Sequence, residues 1–178
     1  MKRPIDDFID VKILEAVLHS DARGYLYKQG IPSRSMFTNF LLSHNPTTGT
    51  VRGLHCQPRQ DAEYKLITCI RGAITDFLLD LREDSPTFGD WCEYRLSEKD
   101  TKSLFVPPGL AHGFQTIESE TTLHYLVSGQ YIPENSITIN IQDSEIGIKI
   151  PMTISEISQN DLKAPGYQET LARLNLKP

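Results

Sequence analysis

The most constraining feature of the sequence is a succession of short, strand-like segments separated by turn residues. The segments are rich in Ile, Val, Leu, Thr and aromatic residues, and they occupy 64–70, 73–81, 91–96, 103–106, 122–127 and 137–141. Many short strands with turns between them are typical of a β-sandwich or barrel and not of βαβ units. Only the tail, 159–176, has a helical character. We therefore predict one β-barrel domain spanning 1–178.

The N-terminal third gives weaker signals. Residues 8–18 indicate an early strand or two, and Asp21 and Gly24 predict a tight turn ahead of another strand. The polar segment 29–50 fits a short helix followed by a strand.

Composition excludes several classes of protein. A net charge of −5 and an isoelectric point near 5.5 argue against a partner with an anionic surface, either nucleic acid or membrane. No apolar run approaches the ~20 residues of a membrane span, and the first residues lack a signal-peptide core. The 3 cysteines are an odd number without paired spacing, which argues against a disulfide framework and indicates a reducing compartment. We expect a cytoplasmic protein.

His55 is the first candidate for chemistry. It lies in Arg52-Gly53-Leu54-His55-Cys56-Gln57, between a turn-rich segment and a long strand-like run. A histidine presented at the mouth of a barrel is a plausible general base, because imidazole can accept a proton near neutral pH. The adjacent Cys56 should point to the opposite face of the strand, so we interpret it as a packed thiol and not a nucleophile.

Metal and cofactor sites have no support in the sequence. A catalytic metal needs about three converging His or carboxylate ligands. The histidines form neither an H-x-H pair nor an H-E-x-x-H motif, and they are His19, His44, His55, His112 and His124. No Gly-rich phosphate loop is present either. We predict a site with no metal and no cofactor.

Three motifs in order resemble the dTDP-4-dehydrorhamnose 3,5-epimerase family. They are Arg52-Gly53-Leu54-His55-x-Gln57, Asp84-Ser85-Pro86-Thr87-Phe88-Gly89-x-Trp91 and Val106-Pro107-Pro108-Gly109-x-Ala111-His112-Gly113-Phe114. The similarity continues through Tyr125 and Tyr131 to Asp161. It implies a mainly β, cupin-type double-stranded β-helix (jelly-roll) barrel with a few short helices, mostly C-terminal. It also implies a metal-free enzyme of deoxysugar and polysaccharide biosynthesis.

The resemblance implies a reaction and a role for each catalytic residue. The family inverts C3 and/or C5 of a nucleotide-linked 4-keto-6-deoxyhexose through an enolate. His55 matches the base, and Tyr125 matches the acid on the other face of the sugar. Asp161 matches the carboxylate that orients His55, and Lys65 matches the cation near the enolate oxygen.

The same resemblance assigns substrate-binding residues. His112 matches a sugar contact and Asp76 its supporting carboxylate, whereas Arg23 and Arg52 match residues that contact the diphosphate and sugar. Tyr131 matches the aromatic residue that stacks on the base. The family dimerises with exchanged N-terminal strands, which would place Arg23 and Lys28 in the neighbouring subunit's site.

Departures from the family pattern leave alternatives open. Lys28 stands where the family usually has a glutamate that helps to hold thymine, and the reversed charge also reverses the hydrogen-bonding role. Further differences fall at Leu41, Leu42, Leu126, Ser136 and Asn160. A nucleotide other than thymidine, a mono-epimerase acting at one carbon, a ketoisomerase and a non-catalytic sugar-binding cupin remain the alternatives.

Overall fold

The computed structural model describes residues 1–32, 37–130 and 132–176. The strands are β1 (Lys12–Glu15), β2 (Val17–Asp21), β3 (Gly24–Lys28), β4 (Asn39–Asn45), β5 (Thr50–Cys56), β6 (Lys65–Arg71), β7 (Ala73–Asp80), β8 (Trp91–Ser97), β9 (Lys102–Val106), β10 (Leu110–Thr116), β11 (Thr121–Val127), β12 (Ile137–Thr138) and β13 (Glu156–Ile157). Helices α1 (Gln159–Leu162) and α2 (Tyr167–Leu174) follow, and short 3-10 turns occupy Ile5–Asp7, Arg59–Asp61 and Pro133–Asn135.

The strands form two larger sheets and one separate hairpin. One sheet has the order β1-β9-β6-β11-β4, and the other has the order β12-β5-β10-β7-β8 with β13 added in parallel to β5. Strands β2 and β3 pair with each other in a two-stranded sheet of their own. The expectation of a mainly β chain with C-terminal helices is confirmed. The described part of 29–50 contains β4 and no helix, and 33–36 lie outside the described residues.

The barrel interior is an apolar cluster contributed by both sheets. Alternate residues of each strand point inward, so β6, β9 and β11 meet β7, β8 and β10 across this core. Its buried members include Ile67, Cys69, Ile74, Leu78, Cys92, Leu96, Leu104, Val106, Leu110, Phe114 and Leu123. Burial of this surface is the main force holding the two sheets together.

A second apolar cluster attaches the C-terminal segment to the outer face of the six-stranded sheet. Leu54, Phe77 and Leu79 of that sheet pack in one cluster with Ile139 and Leu171. Helix α1 contacts β5 as a consequence of this packing. The C-terminal segment thereby brings Asp161, in α1, to the strand that carries His55.

Two motif glycines let strands β5 and β10 approach closely. Gly53 has φ +110°, and a Cβ on it would lie 2.6 Å from the Cα of Gly113. A Cβ on Gly113 would in turn lie 2.8 Å from the carbonyl oxygen of Arg52. In this register His55 lies opposite His112, and the pairing is irregular between His112 and Phe114. The glycines therefore bring the two histidine-bearing strands together.

The Asp-Ser-Pro-Thr-Phe-Gly motif forms a loop held by Asp80, a fully buried carboxylate at the end of β7. Asp80 accepts hydrogen bonds from the Ser85 hydroxyl at 2.6 Å and the Thr87 hydroxyl at 2.7 Å. The Arg82 guanidinium donates to the same carboxylate at 2.7 and 2.9 Å. This motif is a structural element, and none of its described contacts involves a candidate catalytic residue.

All three cysteines are free and buried. Burial raises the pKa of Cys56 and of Cys69 to about 12, and it raises the pKa of Cys92 as well. Cys56 faces away from His55 as expected for neighbours on a strand, and its thiol is a packed group. Separately, within the described ranges no helix is long and apolar enough to cross a membrane.

Candidate active site

A polar layer interrupts the apolar interior of the barrel. On β7, Asp76 lies between the inward-facing Ile74 and Leu78, and on β10, His112 lies between the inward-facing Leu110 and Phe114. Lys65 and Tyr125 occupy corresponding inward positions at β6 and β11. Four chemically active side chains thus converge from four strands, although each strand presents mainly apolar residues inward.

His112 and Asp76 form a buried pair in this layer. The Nε2 atom of His112 lies 2.7 Å from Oδ2 of Asp76. Burial raises the pKa of Asp76, while His112 and then Lys65 act in the opposite direction. The other carboxylate oxygen, Oδ1, has no hydrogen-bond partner among the described residues. Asp76 therefore fixes the orientation of His112 and keeps one acceptor free.

His55 forms a second pair, with Asp161 at the start of the C-terminal region. Its Nε2 atom lies 2.6 Å from Oδ1 of Asp161. Asp161 is 5% exposed, whereas His55 is 42% exposed. The amide of Asp161 donates to the Ser158 hydroxyl at 3.0 Å, which caps α1 and fixes the carboxylate. The pair thus has an inner carboxylate and an outer imidazole that a ligand can reach.

Asp161 is held in its ionised form. Burial alone would raise the pKa of Asp161, but hydrogen bonds from His55, the Gly53 amide and Ser158 together lower it below its usual value. The Gly53 amide donates to Oδ2 at 3.4 Å. An ionised carboxylate behind an imidazole can stabilise the imidazolium that forms when the ring takes up a proton.

Tyr125 is a protonated phenol at neutral pH. Burial, and then the negative charge of Asp76, raise the pKa of Tyr125 well above its usual value, and Arg52 opposes them. The rings of Tyr125 and His112 lie edge to face, with centroids 6.2 Å apart. A phenol that keeps its proton can act as a general acid.

Lys65 has a carboxylate beside it that the sequence analysis missed. Its Nζ atom lies 4.0 Å from Oε2 of Glu63, and both side chains are largely buried. Burial lowers the pKa of Lys65, whereas the charges of Glu63, Cys56 and Asp76 raise it. A lysine two residues after a glutamate is common on surfaces, so the spacing alone gives no sign of this pair.

The substrate-binding candidates divide into two groups. Arg52 lies near Tyr125, and its Nε atom donates to Oδ1 of Asn45 at 2.8 Å. Arg23 and Lys28 lie on the β2–β3 hairpin, where Arg23 is exposed and bonded to Asp21, and their described contacts include no site residue. Tyr131 lies outside the described residues.

The candidate set offers an acid, a base and a cation. In the described part of the chain, no three His, Cys, Asp or Glu side chains are grouped so that they could hold one metal ion. A base that can accept a proton, a phenol that can donate one and a buried ammonium suit proton transfer at a carbon beside a carbonyl.

Comparisons with known proteins show to which family the chain belongs. A family model described as dTDP-4-dehydrorhamnose 3,5-epimerase matches residues 6–169. A dTDP-4-dehydrorhamnose 3,5-epimerase of Sinorhizobium fredii is 34% identical over 168 residues, which cover 90% of this chain and 86% of that protein.

Solved structures show the same architecture. An epimerase from Mycobacterium tuberculosis superposes with a TM-score of 0.88 at 27% identity, covering 96% of this chain and 90% of that chain. A 3′-monoepimerase from Streptomyces bikiniensis, in complex with dTDP-quinovose, gives a TM-score of 0.83 at 29% identity, covering 94% and 88%. These neighbours are cupin-like, so the expected jelly-roll barrel is confirmed.

Proposed function

The chain belongs to the dTDP-4-dehydrorhamnose 3,5-epimerase family and is a nucleotide-sugar epimerase acting at C3 and/or C5, and we propose that His55 and Tyr125 are its base and acid. The observation that carries this assignment is the 2.6 Å contact between His55 and the ionised Asp161. The contact leaves the imidazole exposed enough to meet a substrate.

In the proposed reaction, His55 removes the proton from the sugar carbon beside the C4 ketone. The electron pair of that C–H bond moves into an enolate, and the proton stays on the imidazole. Asp161 stabilises the resulting imidazolium and holds the ring in one orientation.

Lys65 then stabilises the charge that develops on the C4 oxygen. A cation placed in a poorly hydrated site interacts more strongly with such a charge than it would in water, and loss of one stabilising group typically costs ~10²–10³ in rate. The reaction therefore has a charge stabiliser in the chain itself, and we propose that no metal takes part. Elemental analysis of active protein purified without chelator checks this expectation.

Tyr125 completes the inversion by donating its proton to the opposite face of the enolate carbon. Its buried position supports this role, since the phenol stays protonated until an electron-rich carbon forms beside it. We propose that His112, oriented by Asp76, contacts the sugar, and that the free Oδ1 of Asp76 accepts a hydrogen bond from a substrate hydroxyl.

For the nucleotide diphosphate, we propose contacts from Arg52 and from Tyr131 in the same chain, and from Arg23 and Lys28 of a second copy. The hairpin that bears the last two residues exposes the apolar side chains of Val17, Leu18, Tyr25 and Leu26. A two-stranded hairpin is marginally stable by itself. Exposed apolar surface of this kind is typical of an interface.

The barrel presents a second exposed apolar surface at β4, which is an edge strand of the five-stranded sheet. Phe40, Leu41 and Leu42 on that strand are 61%, 53% and 58% exposed. We propose a homodimer in which each hairpin packs on its partner, covering apolar surface on both subunits. The buried free thiols suit a reducing compartment, and we place the enzyme in the cytoplasm.

Two further proposals concern the carbon that is inverted and the nucleotide that the sugar carries. The Streptomyces bikiniensis neighbour is a 3′-monoepimerase, which favours inversion at C3 alone as the second candidate. Lys28 also favours a nucleotide other than thymidine, and calorimetric comparison of thymidine, guanosine and cytidine diphosphates tests that preference.

The deciding experiment follows proton exchange in heavy water by NMR, with dTDP-4-keto-6-deoxyglucose and either the wild type or His55→Ala. Deuterium at C3 and C5 with the wild type alone indicates a double epimerase, and deuterium at one carbon indicates a mono-epimerase. Transfer of the carbonyl without inversion indicates a ketoisomerase. Absence of exchange with a panel of 4-keto nucleotide sugars would contradict catalysis and favour a sugar-binding cupin.

A further inference from the structure

Lys65 lies in surroundings that disfavour an ammonium ion. It begins β6 with a side chain only 16% exposed, and β9 and β11 place Val106 and Val127 opposite it. Desolvation of a charged amine favours loss of its proton. Something must offset this effect if Lys65 is to carry a charge during the reaction.

Among the described residues, three titratable groups act on Lys65: Glu63 just before β6, Cys56 on β5 and Asp76 on β7. Burial keeps the Cys56 thiol neutral, because it raises the pKa of Cys56 to about 12. Asp76 is fully buried and already bonded to His112. Glu63 is left as the carboxylate paired with Lys65, at 4.0 Å.

Glu63 is itself largely buried. Its side chain is 10% exposed, and burial raises the pKa of Glu63, while Lys65 and then Gln57 act in the opposite direction. Gln57 in turn accepts a hydrogen bond from the amide of Ile132 at 3.1 Å. The chain also holds an exposed pair of nearly equal length, Lys102 with Glu15 at 3.9 Å, with side chains 38% and 74% exposed.

We propose that Glu63 is a positioning residue for the epimerase reaction: it keeps Lys65 protonated and holds its ammonium group in the polar layer of the barrel. The inference rests on the proposed role of Lys65 and deepens it. A carboxylate 4 Å from a largely buried ammonium interacts far more strongly than the same pair in water. Exposed pairs such as Lys102 with Glu15 contribute little.

The direct test is an NMR titration of the lysine side chains in Glu63→Gln, in the matched surface variant Glu15→Gln and in the wild type. The Lys65 signal is assigned by its absence in Lys65→Arg. We expect Lys65 to titrate at a pH lower by about one unit in Glu63→Gln and at its wild-type pH in Glu15→Gln. An unchanged Lys65 titration in Glu63→Gln would overturn the proposal.

Kinetics show whether this charge serves the reaction. Tyr125 keeps its proton to a high pH, so loss of the Lys65 proton should set the alkaline limb of kcat. We expect Glu63→Gln to move that limb to lower pH with KM changed less than about twofold, and Glu15→Gln to leave it in place. A purely structural role for Glu63 would lower activity equally at all pH values.

A double-mutant cycle tests the role of Glu63 separately from the proposed catalytic role of Lys65. In a Lys65→Met background, adding Glu63→Gln should change kcat no further, because the group on which Glu63 acts is gone. Full activity of Lys65→Met would contradict the catalytic role of Lys65, even if the NMR titration still shows the pair. An inactive Lys65→Met together with an unmoved alkaline limb in Glu63→Gln would overturn the role of Glu63 alone.

Discussion

Asp161 and Asp76 are both buried carboxylates bonded to a histidine, yet their surroundings shift their pKa values in opposite directions. Hydrogen bonds to Asp161 outweigh its burial and lower its pKa, whereas burial dominates at Asp76 and raises its pKa. Sites that move protons commonly separate the pKa values of similar groups in this way. The ionised Asp161 is suited to balance a positive imidazole, whereas Asp76 takes up a proton more readily than an exposed aspartate does.

The roles of base and acid can be separated with one substitution each. With Tyr125→Phe, His55 still removes a proton and can return a deuteron to the same face in heavy water. We expect exchange with retained configuration and inversion slowed at least ~100-fold. His55→Ala should lose both exchange and inversion while its circular dichroism stays that of the wild type. Inversion by Tyr125→Phe at the wild-type rate would contradict the assignment.

The candidate residues themselves could be selected from the sequence, because each lies in or near a family motif. Their pairing, His55 with Asp161 and His112 with Asp76, was expected from the family resemblance alone and could not be derived from the residues themselves. His55 and Asp161 are separated by 106 positions, and only the packing of the C-terminal segment on the six-stranded sheet brings them together. The role of Glu63 could not be predicted for a different reason, since nothing in its neighbourhood in the sequence indicates burial.

At the scale of elements, the strand succession predicted a barrel because alternation and turn residues are local signals. The close approach of β5 to β10 could not be predicted, since it depends on Gly53 meeting Gly113 across 60 positions. The weaker N-terminal signals likewise did not reveal that β2 and β3 form a hairpin apart from both sheets, because sheet partners are not encoded locally.

The loop that follows β7 should contribute stability and not catalysis. Replacing Asp80 by Asn leaves Arg82 without its buried partner, so we expect a loss of about 3 kcal/mol of unfolding free energy at pH 7. Urea denaturation measures this loss, with the exposed Asp84→Asn as the matched control. At saturating substrate, kcat of Asp80→Asn should equal that of the wild type.

The same variant has a defined pH dependence. Burial would raise the pKa of Asp80, but hydrogen bonds from Arg82, Ser85 and Thr87 lower it below its usual value. A lowered pKa means that the carboxylate stabilises the fold at pH above about 4 and that this contribution is lost as the pH falls further. The stability difference between the wild type and Asp80→Asn should therefore shrink below that pH. A constant difference would contradict the ionic role.

At the scale of the whole molecule, the two apolar clusters share the six-stranded sheet, one on each face. We therefore propose that 1–178 unfold as one cooperative domain, with coincident transitions by circular dichroism and tryptophan fluorescence. Two separate transitions would instead divide the C-terminal segment from the barrel.

Exchange of hairpins predicts complementation between inactive variants. If Arg23 serves the partner's site, mixed dimers of Arg23→Ala and His55→Ala contain one intact site each. Unfolding and refolding an equal mixture should restore roughly a quarter of wild-type activity. The separately refolded variants are the control. Activity no greater than theirs, or a light-scattering mass equal to that of the monomer, would contradict the exchange.

The burial of Cys56, Cys69 and Cys92 has a practical consequence for observing this exchange. Because thiolates and not thiols react with maleimides, and all three pKa values are raised, the native protein should be silent to such reagents at neutral pH. In the variant Ala22→Cys, whose new residue lies on the hairpin turn, the introduced thiol would then be the one that reacts. Spin labels attached there would report the distance between the two hairpins of an assembled pair, and none of the native cysteines would need to be replaced.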